Sequence, residues 1–246
     1  MRVLLTGAGG RVGGAILGGI GDSPEYDWRL LFHNPPDETP DHEYLVGDVI
    51  DAETVREAVE GMDAVIHLAG DPRPEAPWDS VLTNNVEGTK MMLEASVETG
   101  VEKFVYASSN HAVGHYETGR EPHIYRPDGE LMLDGTELPR PGNFYGISKA
   151  TGEILCRYYH DEHGIAACCL RIGNLTKNHP PRDYERGQAM WLSHRDCAHL
   201  HQCALEADYE YEILYGISDN DRKYYSIERA REVLGYDPQD NSAEYE

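Results

Sequence analysis

The sequence predicts an α/β fold, a doubly wound parallel sheet with a small C-terminal part. Three observations carry that prediction. Short apolar runs of strand length alternate with longer helical patterns along the 246 residues. The first run, residues 2–6, opens into Gly7-Ala8-Gly9-Gly10-Arg11-Val12-Gly13 and then a helical pattern, the strand–glycine–helix order of a Rossmann-type site. Much later, Tyr145 and Lys149 stand four apart at the head of another helical pattern, beyond a strand that ends near Ser109.

The elements follow in order. Gly7, Gly10 and Gly13 let the backbone turn tightly and approach a pyrophosphate, whose charge sits at the helix N-terminus. Residues 28–32 read as the second strand. An acid is expected at its end for the adenosine ribose, but Phe32 and His33 stand there, with no acid before Asp37. NAD is the expected cofactor, and the missing acid leaves NADP open. Residues 43–47 form a third strand. Asp48 can accept from the adenine amino group or serve as the N-terminal acid of a helix at 52–60. Residues 64–68 are the fourth strand, and the small Ala69 and Gly70 would let a cofactor lie close.

A Pro-rich loop at 71–77 leads to a helix at 78–99 and a fifth strand at 102–107. The polar stretch at 116–143, rich in Pro and Gly, reads as a long surface excursion. A helix at 144–163 and a sixth strand at 165–171 complete a dinucleotide-binding core, residues 1–171. Residues 172–246 are the small substrate-binding part, interleaved with the core as one compact unit. It holds a locally basic loop at 177–186 with Lys177, His179, Arg182 and Arg186, a candidate anion site. A helix at 191–207, a strand at 211–215 and a helix at 226–234 follow.

Tyr145 and Lys149, at i and i+4, share one helix face. A phenol with a pKa near 10 is a poor base at neutral pH, and a buried ammonium beside it favours the phenolate. A lowering of about 3 units corresponds to roughly 4 kcal/mol. Ser109, at a strand end where open sheets seat their ligands, can hydrogen-bond the same substrate oxygen. The three suit proton removal from an alcohol, or proton delivery to a carbonyl. The spacing alone is weak evidence in a chain with 16 Tyr; the glycine motif decides it.

Composition sets the outer bounds. The formal net charge is −23, and only five of the 21 basic residues are Lys. Such a chain suits a salt-rich interior, where a Debye length of about 3 Å at 1 M screens self-repulsion. The charge argues against nucleic-acid binding, which needs a basic face. No apolar run approaches membrane-spanning length, and the chain starts in a strand without a signal peptide, so a cytoplasmic protein with no membrane partner is expected. The five Cys show no metal-ligand spacing and read as buried reduced thiols; His194, His199 and His201 lack a regular ligand pattern, so no metal site is expected.

With both motifs in place, the chain resembles the extended short-chain dehydrogenase/reductases over almost its whole length, through Gly7/Gly10/Gly13, Ser109 and Tyr145-x-x-x-Lys149. Ala107-Ser-Ser-Asn-His111, Arg171-Ile-Gly173 and Leu234-Gly-Tyr-x-Pro238 resemble the uronate dehydrogenases and their haloarchaeal relatives, a group that includes NAD-dependent glucose-6-phosphate dehydrogenases. The runs His67–Trp78, Gly173–Thr176 and Tyr184–Trp191 look most like those last enzymes. The resemblance implies that Tyr145 is the general base, that Lys149 lowers its pKa and holds the nicotinamide ribose, and that Ser109 orients the hydroxyl. It implies cofactor positions at Gly7, Gly10, Arg11, Val12, Gly13, Asp48, Val49, Leu68, Ala69, Gly70, Asn85, Tyr145, Lys149 and Ile172. Substrate positions follow at Arg73, Asn110, His111, Asn174, Arg182 and Arg186, the last standing five residues before Trp191 as in uronate enzymes. The extra cations suit a phosphate dianion better than a carboxylate. The expected reaction is oxidation of a sugar at C1 to its lactone, with glucose 6-phosphate ahead of a uronate. A nucleotide-sugar epimerase or dehydratase is a further alternative, disfavoured because only 75 residues follow Arg171. Helices 78–99 and 144–163 resemble those that pair in the family's homodimers.

Overall fold

The computed structural model describes residues 1–126, 129, 131–176, 180 and 185–245. Among them, seven strands form one parallel sheet: β1 (Arg2–Thr6), β2 (Asp27–Phe32), β3 (Glu43–Val46), β4 (Ala64–His67), β5 (Lys103–Ser109), β6 (Ala166–Ile172) and β9 (Tyr211–Gly216). The order across the sheet is β3-β2-β1-β4-β5-β6-β9. Chain direction across the sheet therefore reverses beside β1 and β4, and open sheets bind ligands at such a switch point, beyond the strands' carboxyl ends.

Each strand alternates its side chains between two apolar layers. Val3 and Leu5 of β1 pack in one layer with Ile16 of α1 (Arg11–Ile20) and Leu200 of α7 (His194–Glu206). Leu4 faces the other layer, with Val55 of α2 (Ala52–Val59), Met92 of α4 (Gly88–Thr99) and Cys156 of α5 (Phe144–His163). Burying each such aliphatic side chain contributes about 1.5–3 kcal/mol. All five cysteines are buried thiols.

The expected strands lie within two residues of the observed ones, and three differences bear on the site. β5 runs on to Ser109 because its ladder with β6 continues to the pair Ser109↔Ile172. The helix expected at 78–99 is interrupted. It consists of α3 (Trp78–Val81), a π-helical turn (Leu82–Glu87) and α4, and that turn carries the buried Asn85. The helix expected from 191 begins three residues later. Trp191–Leu192 instead forms β8 and pairs with β7 (Asn174–Leu175), and the Ser193 hydroxyl caps α7 by accepting from Asp196 N at 3.0 Å.

The excursion at 116–143 is not purely a surface loop. Ile124, Tyr125 and Leu133 bury themselves in a third cluster with Tyr215, Tyr224 and Tyr225. Its apolar residues are spaced irregularly, so no periodicity marked them. The C-terminal part contributes β9 to the main sheet and α7 against α1.

Candidate functional site

The glycine turn is built as a cradle. Gly7 has φ +67, and a Cβ there would stand 3.0 Å from Ala69 N. At Gly13 a Cβ would meet Ala8 O at 2.6 Å, so helix and strand approach only because that atom is missing. Gly10 caps α1 with no side-chain hydrogen bond, and the first turn holds no acid. The first N–H groups of α1 are thus not neutralised by the chain, which fits the pyrophosphate of a dinucleotide. Arg11 and Val12 open that turn, Arg11 exposed and Val12 half-buried.

The opposite wall follows β4. The Leu68 and Ala69 N–H groups both donate to Thr6 Oγ1 at 3.1 Å. Gly70 has φ +147, and a Cβ on it would lie 2.7 Å from Asn85 Oδ1. Asn85 accepts from Asp71 N at 2.6 Å and donates to Asp71 O at 3.1 Å and Ser148 Oγ at 2.9 Å. It therefore ties the loop after β4 to α5. Below this wall His67 is fully buried; burial, aided by the nearby Lys149 charge, pulls its pKa to about 3 and keeps the ring neutral.

At the end of β2 the Phe32 ring lies 3.4 Å from where a Gly9 Cβ would be. His33 Nδ1 lies 3.6 Å from Asp48 Oδ2. Asp48 stands three residues before the helix cap Asp51, which accepts from Glu53 N and Thr54 N at 2.9 and 3.2 Å. Val49 packs against Gly88 at the start of α4, and Ile172 ends β6, buried beside Ser109.

Ser109, Tyr145 and Lys149 come together where β5 meets the head of α5. Asn143 caps that helix, its Oδ1 accepting from Gly146 N at 2.7 Å. A Cβ on Gly146 would collide with the His111 carbonyl, so the first turn of α5 lies flat against the 3-10 turn Asn110–Tyr116. The His111 ring stands edge-on to Tyr145 with centroids 5.5 Å apart, and its Nδ1 lies 3.1 Å from Asn143 Nδ2. Burial, then the Arg186 charge, lowers the His111 pKa and favours the neutral ring. Asn110 is buried, with Oδ1 accepting from Ser109 Oγ at 3.2 Å and Nδ2 at 3.5 Å from Met190 Sδ.

Lys149 is buried and donates to Ala107 O at 2.8 Å. Its Nζ lies 5.7 Å from the centre of the Tyr145 ring and 5.1 Å from that of Tyr106. Burial pulls the ammonium down to about 8. For Tyr145 the expected lowering by Lys149 is not what sets the acidity here. Burial pushes the phenol up, and the Ser109 hydrogen bond acts the other way.

Two of the expected anion receptors have carboxylate partners. Arg73 forks onto Asp71, Nε to Oδ1 at 2.9 Å and Nη2 to Oδ2 at 2.6 Å, while Ser80 Oγ donates to the same carboxylate at 2.6 Å. Arg186, on α6 (Glu185–Ala189), forks onto Glu117, Nε to Oε2 at 2.5 Å and Nη2 to Oε1 at 2.9 Å. In a chain with 44 acids against 21 bases, both arginines pair with a carboxylate. Arg182, Lys177 and His179 lie outside the described residues. Asn174 opens β7, half-buried, with its N–H donating to Met190 O at 2.7 Å.

Two residues of this site escaped the sequence reading. Asn143 carried a signal, a capping residue directly before a helical pattern. Glu117 carried none, being one acid in a polar stretch. It is buried, and besides Arg186 it accepts from the Tyr125 and Tyr225 hydroxyls at 2.9 and 3.3 Å. Burial pushes its carboxyl up, but the Arg186 bond and charge outweigh that and hold it below the ordinary range.

Comparison with known proteins places this geometry. The NAD dependent epimerase/dehydratase family matches residues 3–211. The chain is 68% identical to the NAD-dependent glucose-6-phosphate dehydrogenase of Haloferax volcanii, over 99% of this chain and 95% of that one. It is 32% identical to the uronate dehydrogenase of Pseudomonas syringae, over 98% of this chain and 82% of that one. The crystal structure of uronate dehydrogenase from Agrobacterium tumefaciens superposes with a TM-score of 0.85 at 31% identity, covering 99% of this chain and 86% of the other.

Proposed function

The chain belongs to the NAD dependent epimerase/dehydratase family, and from that premise we propose that it oxidises a sugar at C1 with NAD, glucose 6-phosphate giving 6-phosphogluconolactone. The observation that carries the substrate is the 68% identity, end to end, with an enzyme named for that reaction. The uronate enzymes are more distant, at 32%.

NAD, when bound, supplies the hydride acceptor; its pyrophosphate would rest on the Gly7, Gly10 and Gly13 turn and the α1 N-terminus, between the Phe32 end of β2 and the Leu68–Gly70 wall. The chain's own residues handle the proton. Ser109 hydrogen-bonds and orients the C1 hydroxyl. Tyr145 takes its proton as the C1 hydrogen departs with its bonding pair, and the oxygen's electrons close the lactone carbonyl. Lys149, mostly charged below pH 8, offsets the charge that forms on Tyr145. Asn110 holds Ser109, and neutral His111 walls the phenol on the side of the sugar.

Residues 1–171 serve as the cofactor core and 172–246 as the substrate-binding part. A homodimer is part of the proposal. Trp78, Phe144, Ile147, Ile154 and Tyr158 are large apolar side chains left exposed on α3 and α5, and Trp78 and Phe144 lie against each other at 5.6 Å. No helix among the described residues is long and apolar enough to cross a membrane, and the acid-rich composition supports work in a salt-rich cytoplasm.

Reduction of NAD in molar KCl, with glucose 6-phosphate, glucose, glucuronate and galacturonate offered side by side, tests the reading. Turnover of glucose 6-phosphate is expected, and its absence overturns the substrate. A monomeric mass in the same buffer overturns the dimer.

A further inference from the structure

We propose that Glu117 is a specificity-determining residue that excludes uronates by neutralising Arg186. The inference rests on the sugar-oxidising reading, not on the phosphate. Contacts link the pair to Ser109: Asn110 accepts from Ser109 Oγ, its Nδ2 lies 3.5 Å from Met190 Sδ, and Met190 N donates to Arg186 O at 3.2 Å. Both charges act on His111, whose ring stands edge-on to Tyr145. The 3-10 turn that carries Asn110 and His111 runs directly into Glu117.

The contact is a two-point fork, each Glu117 oxygen taking one Arg186 nitrogen. Such pairs combine charge with fixed geometry. The two tyrosine hydroxyls bring the carboxylate to four donors, as many as its lone pairs accept. The Glu117 side chain is 7% exposed and that of Arg186 21%, so water does little to screen the pair. A carboxylate at sugar C6 would meet a guanidinium whose charge is already matched, with Glu117 repelling it from behind. A neutral sugar carries no charge for Glu117 to repel. A hexose 6-phosphate carries its charge two bonds farther from the ring than a uronate, so the two anions need not use the same cation.

Two measurements test this. Wild-type enzyme is offered glucuronate and its uncharged amide, glucuronamide, at matched concentrations. The amide should be the better substrate, and preference for the acid overturns the proposal. Glu117→Gln is then compared with wild type by the ratio of kcat/KM for glucuronate to that for glucose. The ratio should rise about tenfold, the scale of one charge-assisted contact. A merely structural Glu117 would lower both values together and leave the ratio unchanged, which overturns the proposal. The amide comparison needs no variant and stands if Glu117→Gln fails to fold. Wild type that oxidises glucuronamide in preference to glucuronate but ignores glucose 6-phosphate would remove the phosphate substrate and support Glu117 as the selector.

Discussion

Lys149→Met should make this protein more stable while stopping its chemistry. Lys149 is enclosed, and its pKa falls from an ordinary 10.5 to about 8. At 1.36 kcal/mol per pH unit, that difference means a charged Lys149 costs the fold about 3 kcal/mol at pH 7. Its bond to Ala107 O at 2.8 Å returns about 1 kcal/mol. Methionine fills nearly the same volume without the charge, so the variant should gain about 2 kcal/mol net, or roughly 4 to 8 °C in Tm for a chain of this size. The sign with pH follows from linkage. Between pH 8 and 10.5 the unfolded chain still holds the proton that the folded one has released, so wild-type stability climbs toward that of the variant. Below pH 8 the full cost is present. Urea unfolding of both proteins in molar KCl at pH 7 and pH 9.5 measures the two differences, and groups common to both cancel. A variant that is less stable at pH 7, or a gap that widens at pH 9.5, would show that the buried Lys149 charge does not cost the fold stability.

Three further outcomes are expected. Tyr145→Phe should lower kcat by at least about 100-fold, the usual scale of a positioned acid or base, with little change in KM, measured in the NAD-reduction assay. Gly13→Ala puts a methyl 2.6 Å from Ala8 O; pushing α1 off β1 should raise the KM for NAD more than the KM for sugar, in the same assay. Arg171→Met removes the cation that joins the buried Glu153 (Nε at 2.8 Å) to the half-buried Glu137 (Nη1 at 2.9 Å), and urea unfolding should show a loss of about 3–5 kcal/mol, the cost of an uncompensated buried charge.

What the sequence made legible was whatever depends on neighbours in the chain. Apart from the exposed edge strand β3, the strands of the main sheet sit between apolar layers, so each announced itself as a short apolar run. The glycine turn and the Tyr145/Lys149 pair were readable for the same reason, since each is a local spacing that one strand end or one helix turn makes meaningful. The features that were missed depend on distant partners. Trp191 leaves the helical state because Asn174 pairs with it and because Ser218 N and Asn220 Nδ2 both donate to its carbonyl. The π turn before α4 holds Asn85 where it can reach Asp71 and Ser148 at once, a requirement that no helical periodicity carries.

Charge was the least legible feature, for a reason specific to this composition. With about two acids per base, an arginine in a basic-looking loop meets carboxylates from elsewhere in the fold. Arg73 is claimed two residues away by Asp71, Arg186 by Glu117 across 69 residues of chain, Arg195 by Asp240 and Arg229 by Glu212. Counting cations in a loop therefore overstates how strongly that loop holds an anion. What distinguishes a ligand-binding arginine in such a chain is the state of its carboxylate partner. A partner that is itself held by other donors, as Glu117 is by two tyrosines, will not yield to a substrate. A partner on a mobile, solvated side chain can be displaced, because screening leaves an exposed pair worth about 0–1 kcal/mol. By that criterion the proposed role of Glu117 in substrate choice depends on the two tyrosine hydroxyls that hold it as much as on Arg186.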